Sequence, residues 1–532
     1  MKNTFLKTIG ATLEAAASLP LGPNSPAGVK SEFLGISRGP AGRMHLFAFL
    51  LVACLTMAAL PASRASAAAL GGPNILYISA DDLDAKSIAH MPRLQSLLVG
   101  HGVSFANAFV TTPVCCPSVT SMLTGKYAHN HQILFNIPPL GGFQKFRDLG
   151  GENSTIATWL QSAGYRTGRV GKYLVGYPIG TTHVPPGWDD WRSTYQGFSS
   201  YFNYTLNENG TVVQYGAEES DYITDVLAEK ALAFIDSTEV NDEQPFFLVL
   251  SVNAPHSGTG PNGPPQPAPR HVGAFAHLSA PRPPSFNEAD VTDKPAAIQE
   301  RPLLNAAQIA AIDAEYRNRL ESMLAVDEAI ERIVFRLAEL GELENTYIVF
   351  TSDNGYHLGQ HRLQNGKAQI YEEDIRVPLI VRGPGIPAGT TQDHYVLNID
   401  FAPTFAELGR ATPTDFVDGR SLVPLLGGTP VPAHEWRDDF LVELWRPAVQ
   451  GGDEIRALRT QGAFQSGPTP ASAGTSVPAI YVEYRSGARE LYDLFNDPFE
   501  LASVHQPLPP GQWRKWSDRL WELATCSGGA CR

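Results

Sequence analysis

Basic side chains are in the minority in this sequence: 40 Lys and Arg stand against 54 Asp and Glu, a formal charge of −14. That balance argues against a nucleic-acid binder or an anionic-membrane binder, both of which need a surplus of basic surface. Charged residues make up only 18% of the chain, and no internal repeat is visible. With 43% hydrophobic and 10% aromatic residues, this excludes disordered, collagen-like and coiled-coil classes. Past the first seventy residues no window approaches 18 apolar residues, so no stable membrane span is expected. Cysteine is sparse, with five among 532 residues. At roughly 100 to 200 residues per domain, this length calls for two or more modules or one large α/β unit.

What is present begins with a targeting segment. From His45 to Leu60 the run HLFAFLLVACLTMAAL carries no Asp, Glu, Lys or Arg, and PASRASA follows with small residues at Ala65 and Ala67. This reads as a signal peptide over 44–67, cleaved after Ala67, and predicts a secreted or periplasmic chain. Residues 1–43 then read as an extension upstream of a true start at Met44. Leu51-Val52-Ala53-Cys54 also resembles a lipobox, although the signal before Cys54 would be very short. Cys526 and Cys531 flank the flexible SGGA and are expected to form a small disulfide in an oxidising compartment. Asn153, Asn203 and Asn209 each head an Asn-x-Ser/Thr triplet, a glycosylation acceptor in a eukaryotic host.

Along the remaining chain, strands and helices alternate. Short apolar runs predict strands at NILYIS (74–79), 166–171, PFFLVLSV (245–252), TYIVFTS (346–352) and VPLIV (378–382). Helical patterns fall at 92–100, 117–123, 155–163, 220–236 and 306–340, whereas 257–303, rich in Pro and Gly, reads as a long loop. Such alternation predicts an α/β domain over 68–433 with a large, mostly parallel sheet flanked by helices and ligands near the strands' carboxyl ends. From 434 to 532, FLVEL, AIYVEYRSG and ELYDL read as antiparallel strands of a smaller α+β subdomain with a terminal helix near 512–524.

Chemistry concentrates at strand ends. Asp81 and Asp82 follow the first strand, and Asp353-Asn354 follow TYIVFTS; each suits either a turn or a hard-metal site. If the two ends converge, as parallel topology predicts, three carboxylates and an amide oxygen make a nest for Ca²⁺ or Mg²⁺. Between them Cys115 precedes Cys116-Pro117-Ser118 at a helix start, where unpaired N–H groups favour an anion. Thr124-Gly125 reads as the end of that helix.

The run Cys115-Cys116-Pro117-Ser118 with LTGKYAHNH resembles the sulfatase signature, Cys-x-Pro-Ser-Arg with a downstream Leu-Thr-Gly. Asp81-Asp82, GKY at 171–173, Pro255-His256 and SDNGYHLGQH at 352–361 occur in the family's order, so the resemblance covers roughly residues 73–500. GKY, HNH, NYTLNENG at 203–210 and ELYDLFNDP are similar to the arylsulfatase and N-acetylglucosamine-6-sulfatase branch. The resemblance implies an alkaline-phosphatase-like fold and hydrolysis of an anionic aryl or sugar sulfate ester. It implies that Cys115 is oxidised to formylglycine by a formylglycine-generating enzyme. It further implies that Asp81, Asp82, Asp353, Asn354 and the modified Cys115 hold Ca²⁺, that Lys172 and Lys367 bind sulfate, and that His256 lies near the leaving oxygen. Three carboxylates with Ca²⁺ and two lysines would give the site a charge of about +1, suited to a sulfate monoester.

One departure stands against these agreements: the signature's arginine is Val119 here. In the family that arginine helps the modifying enzyme recognise the cysteine and steadies the oxidised side chain, and valine offers neither charge nor donors. A second departure is Leu174, where many sulfatases carry histidine. The expectation is therefore a sulfuric ester hydrolase. The alternatives are a catalytically impaired binding relative and a phosphate or phosphonate monoester hydrolase on the same scaffold.

Overall fold

The structure is a computed structural model that describes residues 72–196, 200–239, 244–258, 263–447, 452–462, 477–505 and 510–532. The signal peptide and the extension before it lie outside the described residues.

Ten strands form the main sheet: β1 (Asn74–Ala80), β2 (Val103–Phe105), β3 (Arg166–Gly171), β4 (Asp190–Thr194), β5 (Thr205–Glu208), β6 (Thr211–Gln214), β7 (Phe246–Ser251), β8 (Thr346–Ser352), β9 (Leu379–Arg382) and β10 (Thr390–Gln392). Their spatial order is β10-β2-β9-β8-β1-β7-β3-β4-β5-β6. The central run β8-β1-β7-β3-β4 is parallel throughout. The flanks are not: β9 runs antiparallel to both β8 and β2, and β5 and β6 are an antiparallel extension. The sheet is thus mixed, with its parallel part at the centre. VPLIV was expected as one strand of the parallel alternation, but the connection from β8 to β9 holds a small antiparallel pair, His357–Leu358 with Asn365–Gly366, the loop that carries Lys367 and the short helix Glu372–Ile375, and β9 runs antiparallel to β8.

β1 shows why the centre is parallel. All seven of its residues are buried, as a strand covered on both faces requires. Ile75 and Tyr77 pack with Phe247, Val249, Phe401 and Phe405 on one face. Leu76 and Ile78 pack with Leu248, Leu250, Val326 and Ile330 on the other. The helices supply these layers: α1 (Pro92–Leu97), α2 (Cys115–Thr124), α3 (Ile156–Ser162), α4 (Ile223–Thr238), α5 (Ala306–Leu340), α6 (Glu372–Ile375) and α7 (Phe401–Leu408). α5 starts with a capping box, in which Asn305 accepts from the Gln308 N–H and Gln308 reaches back, and it stops at Gly341 with φ +85°. α2 stops likewise at Gly125, φ +70°.

A second sheet of four antiparallel strands follows, β11 (Asp439–Trp445), β12 (Glu454–Thr460), β13 (Ala479–Tyr484) and β14 (Arg489–Asp493), in that order. The helix α8 (Pro510–Ala524) covers it through Trp516, Leu520 and Leu523, and Phe109, Tyr371 and Tyr395 join the same core. Cys526 and Cys531 are disulfide-bonded.

Candidate active site

Strand register assembles the site. Ser79 lies beside Ser251, Ala80 beside Ser352, and Gly171 beside Ser251. The residues that come next, Asp81-Asp82, Lys172 and Asp353-Asn354, therefore leave the sheet at one level, at the carboxyl ends of parallel strands. Gly171 is needed there: its φ is +103°, and a Cβ would stand 1.9 Å from the Ser251 carbonyl oxygen. Lys172 follows with its N–H donating to that same carbonyl at 2.9 Å.

The side chains converge. Lys172 Nζ is 2.5 Å from Asp81 Oδ2 and 3.8 Å from Asp353 Oδ2. Lys367 Nζ donates to Asp82 Oδ1 and lies 2.7 Å from Cys115 Sγ. Cys115, in the first turn of α2, places its sulfur 3.8 Å from Asp81 Oδ1. Asp353 Oδ1 accepts the Asp82 N–H at 3.0 Å, and Asn354 Nδ2 donates to Asp82 Oδ1 at 2.7 Å. His256 Nε2 stands 3.7 Å from Asp82 Oδ2, while its Nδ1 is 2.9 Å from the Ser257 carbonyl oxygen. All eight residues singled out in the sequence lie in this one cluster.

Its electrostatics are those of a cation site. Three buried carboxylates face two ammonium groups, a deficit of one positive charge in a low-dielectric place. Asn354 Oδ1 is buried and accepts from no described residue, so an oxygen ligand is in place. One atom each from Asp81, Asp82, Cys115 and His256 lie within 4.8 Å of one another. The oxygen donors among these residues, the carboxylates of Asp81, Asp82 and Asp353 and the amide oxygen of Asn354, fit a hard divalent ion. Burial pushes Asp353 up to about 7 and raises Asp81, with neighbouring carboxylates adding to both. Asp82 goes the other way: burial pushes it up, but Lys367, His256 and Lys172 together hold it below the usual carboxylate range. Burial pushes the Cys115 thiol up to about 12, against the pull of Lys172 and Lys367, and pushes His256 down to about 4.

Two buried arginines that the sequence reading passed over hold the backbone of this cluster. Arg319 donates to the Asp82 carbonyl and stacks 3.7 Å over the Tyr356 ring. Arg169 donates to the Lys172 carbonyl. Arg319 was findable, since it occupies the buried stripe of α5 between Tyr316 and Met323, where a charge needs a partner. Val119 is one turn on from Cys115, half-buried against the apolar core that contains Cys116 and Met122. Lys126 is held elsewhere, 2.5 Å from Asp415. A cavity of about 410 Å³ opens from Asp84 and Tyr356, two residues beyond Asp82 and Asn354, and none of the eight cluster residues lines it.

Known proteins resemble this chain in sequence and in fold. The sulfatase family profile matches residues 73–411. An extracellular sulfatase Sulf-1 homologue of Caenorhabditis elegans is 39% identical over 380 residues, 70% of this chain and 52% of that protein. The chain thus spans about half the length of that relative. The N-acetylglucosamine-6-sulfatase of Homo sapiens is 35% identical over 484 residues, 86% of each chain. Among solved structures, one in complex with its substrate D-glucosamine-2-N,6-O-disulfate superposes with a TM-score of 0.68 at 25% identity. That match covers 85% of this chain and 96% of the other, and the fold is alkaline-phosphatase-like. The chain belongs to the sulfatase family.

Proposed function

We propose that this chain is an exported hydrolase of sulfate monoesters, acting on a glucosamine-type sugar sulfate or an aryl sulfate. The observation that carries this reading is the Cys115 side chain, at a helix start, between Lys367 and the carboxylate cluster. Asp81, Asp82, Asp353 and Asn354, with the Cys115 side chain, would hold Ca²⁺, which supplies fixed positive charge beside a sulfate oxygen. Oxidation of Cys115 by a formylglycine-generating enzyme would supply an oxygen nucleophile for sulfur. The unmodified thiol is a poor substitute, because burial keeps it protonated at neutral pH.

The chain's own groups then bind and orient. Lys172 and Lys367 exchange part of their contact with the carboxylates for the sulfate oxygens and neutralise charge as the ester bond lengthens. The Ser257 carbonyl can only accept, so it fixes the proton of His256 on Nδ1 and leaves Nε2 facing the cluster. An anionic ester beside Nε2 favours its protonation, and that proton goes to the leaving oxygen. Export is supported by the signal-like segment at 44–67 and by the relative named as extracellular. No helix of the described residues is long and apolar enough to cross a membrane. Of the three glycosylation triplets, Asn209 is committed to the fold: its side chain accepts from Trp191 N–H and donates to Asp190, both at 2.7 Å.

A second reading, an impaired relative that binds sulfated ligands, is favoured by one observation: Val119 packs against apolar core and offers Cys115 no donor. The test is turnover of N-acetylglucosamine 6-sulfate, a chromogenic aryl sulfate and a phosphonate monoester by the wild type and by Cys115→Ala. Sulfate turnover lost in Cys115→Ala supports the proposal. Preference for the phosphonate, or sulfate turnover that survives in Cys115→Ala, contradicts it.

A further inference from the structure

We propose that His361, Glu373 and Glu500 form a second metal site, for a borderline transition-type divalent ion such as Zn²⁺. One ligand atom from each of the three lies within 4.8 Å of the others. His361 and Glu500 are almost completely buried, at 0% and 1% exposure. Yet His361 Nε2 and Glu500 Oε1 have no hydrogen-bond partner among the described residues. Two orphaned buried polar atoms on two members of one such cluster are costly unless something else engages them.

The surroundings prepare these atoms as ligands. Glu288 Oε2 is 2.7 Å from His361 Nδ1. A carboxylate only accepts, so Nδ1 carries the proton and Nε2 presents its lone pair, the carboxylate–histidine arrangement that orients metal-bound imidazoles. The Tyr371 ring, 4.1 Å from the imidazole centroid, fixes the ring plane. Glu500 Oε2 accepts the Glu372 N–H at 3.0 Å, which leaves Oε1 for the cluster.

Nearby cations are engaged elsewhere. Lys294 donates to the Glu500 carbonyl at 2.7 Å and lies 3.2 Å from Asp293 and 3.4 Å from Glu288 Oε1. Arg376 and Arg459 both pair with Glu372. One imidazole with two carboxylates selects for Zn²⁺-like ions over Ca²⁺, which takes an all-oxygen shell. Glu373 is half-buried and lines the 410 Å³ cavity, which provides an entry path. The ion would clamp three separate segments: the loop after Asn354, α6, and the turn that follows β14.

The test uses the full chain with its first site saturated by Ca²⁺ and Zn²⁺ as the probe, read by calorimetry and by metal content after desalting. We expect one equivalent of Zn²⁺. Glu500→Gln should weaken it at least tenfold. Glu288→Gln, a positioning residue, should weaken it roughly ten- to a hundredfold, and neither change should alter Ca²⁺ affinity. If Glu500→Gln does not fold, Glu373→Gln on the cavity wall replaces it, and Co²⁺ absorption of the wild type reports the N/O ligand set directly. Failure of the wild type to take up Zn²⁺ overturns the proposal, and so does wild-type affinity in the variants. The first of these results would mean that a protonated Glu500 bridges to Nε2 instead.

Discussion

Ca²⁺ binding at the strand-end cluster should be proton-linked, and Asp353 sets the link. Burial, reinforced by Asp81, moves its carboxyl from an ordinary value of 3.8 to about 7 before any cation is bound. A carboxyl must be ionised to act as a ligand, so below pH 7 each ion that binds displaces a proton. For one linked proton the affinity falls roughly tenfold per pH unit below 7 and levels off above it. From about pH 7.5 to about 5.5 the expected loss is roughly twenty- to thirtyfold. Asp81, also raised by burial, can only steepen this. Stability of the metal-free fold carries the opposite sign: it binds an extra proton at this site between about pH 4 and 7, so this group's contribution declines as pH rises through that window. The rise in melting temperature on adding Ca²⁺ should therefore grow with pH up to about 7. Calorimetric titrations in two buffers of different ionisation enthalpy count the released protons, and Asp353→Asn should bind more weakly with a flatter pH profile. Constant affinity across this range with no proton release would mean that Asp353 is already ionised in the metal-free protein.

Three further perturbations test other parts of the molecule. Val119→Arg places a guanidinium one helical turn from Cys115; a charge-assisted contact of about 1.5–3 kcal/mol corresponds to roughly ten- to more than a hundredfold in turnover per oxidised site. A fully oxidised Val119→Arg that hydrolyses no sulfate ester would favour the binding-protein reading. Lys172→Met strips the cation 2.5 Å from Asp81 and should cost about 3–5 kcal/mol of stability, partly restored by Ca²⁺; denaturation curves equal to wild type without Ca²⁺ would contradict this. Cys526→Ser opens a loop of sequence separation 5 and should cost about 2 kcal/mol. It should also loosen the Cys526 carbonyl that His129 and Asn130 contact at 2.9 Å, so a denaturation midpoint indifferent to reductant would count against it.

Much of this molecule was legible in the sequence where one physical signal dominates. β1, β8 and α5 show pure apolar runs or clean helical periodicity between marked ends, and their bounds match the expectation within a residue or two. Asp81-Asp82 and Asp353-Asn354, directly after two such strands, pointed to a common site because parallel strands end at one level. Strand direction was not legible, since Leu379–Arg382 has the same apolar pattern whichever way it runs, and the stretch between it and β8 is long enough for either direction. β12 was missed because its inward face carries Arg459, buried and paired with Glu372 at 2.7 Å, which breaks the apolar alternation. The hairpin β5–β6 carried a signal that went unread: Asn209-Gly210, at φ +52° and +85°, is a turn pair favoured between two such strands. The cluster of His361, Glu373 and Glu500 could not be foreseen, because its members lie far apart in sequence and only the packing of the second sheet brings Glu500 to the other two.

If Cys115 becomes the nucleophile of a sulfate ester hydrolase, the mass of the peptide that carries it must change. Protein produced together with a formylglycine-generating enzyme would be digested, the peptide weighed, and turnover of N-acetylglucosamine 6-sulfate measured on the same preparations. A fraction of chains should have a mass that shows an aldehyde in place of the thiol, with turnover proportional to that fraction. A peptide that is entirely thiol in a preparation that hydrolyses the ester, or entirely aldehyde in one that hydrolyses no sulfate ester, would contradict it.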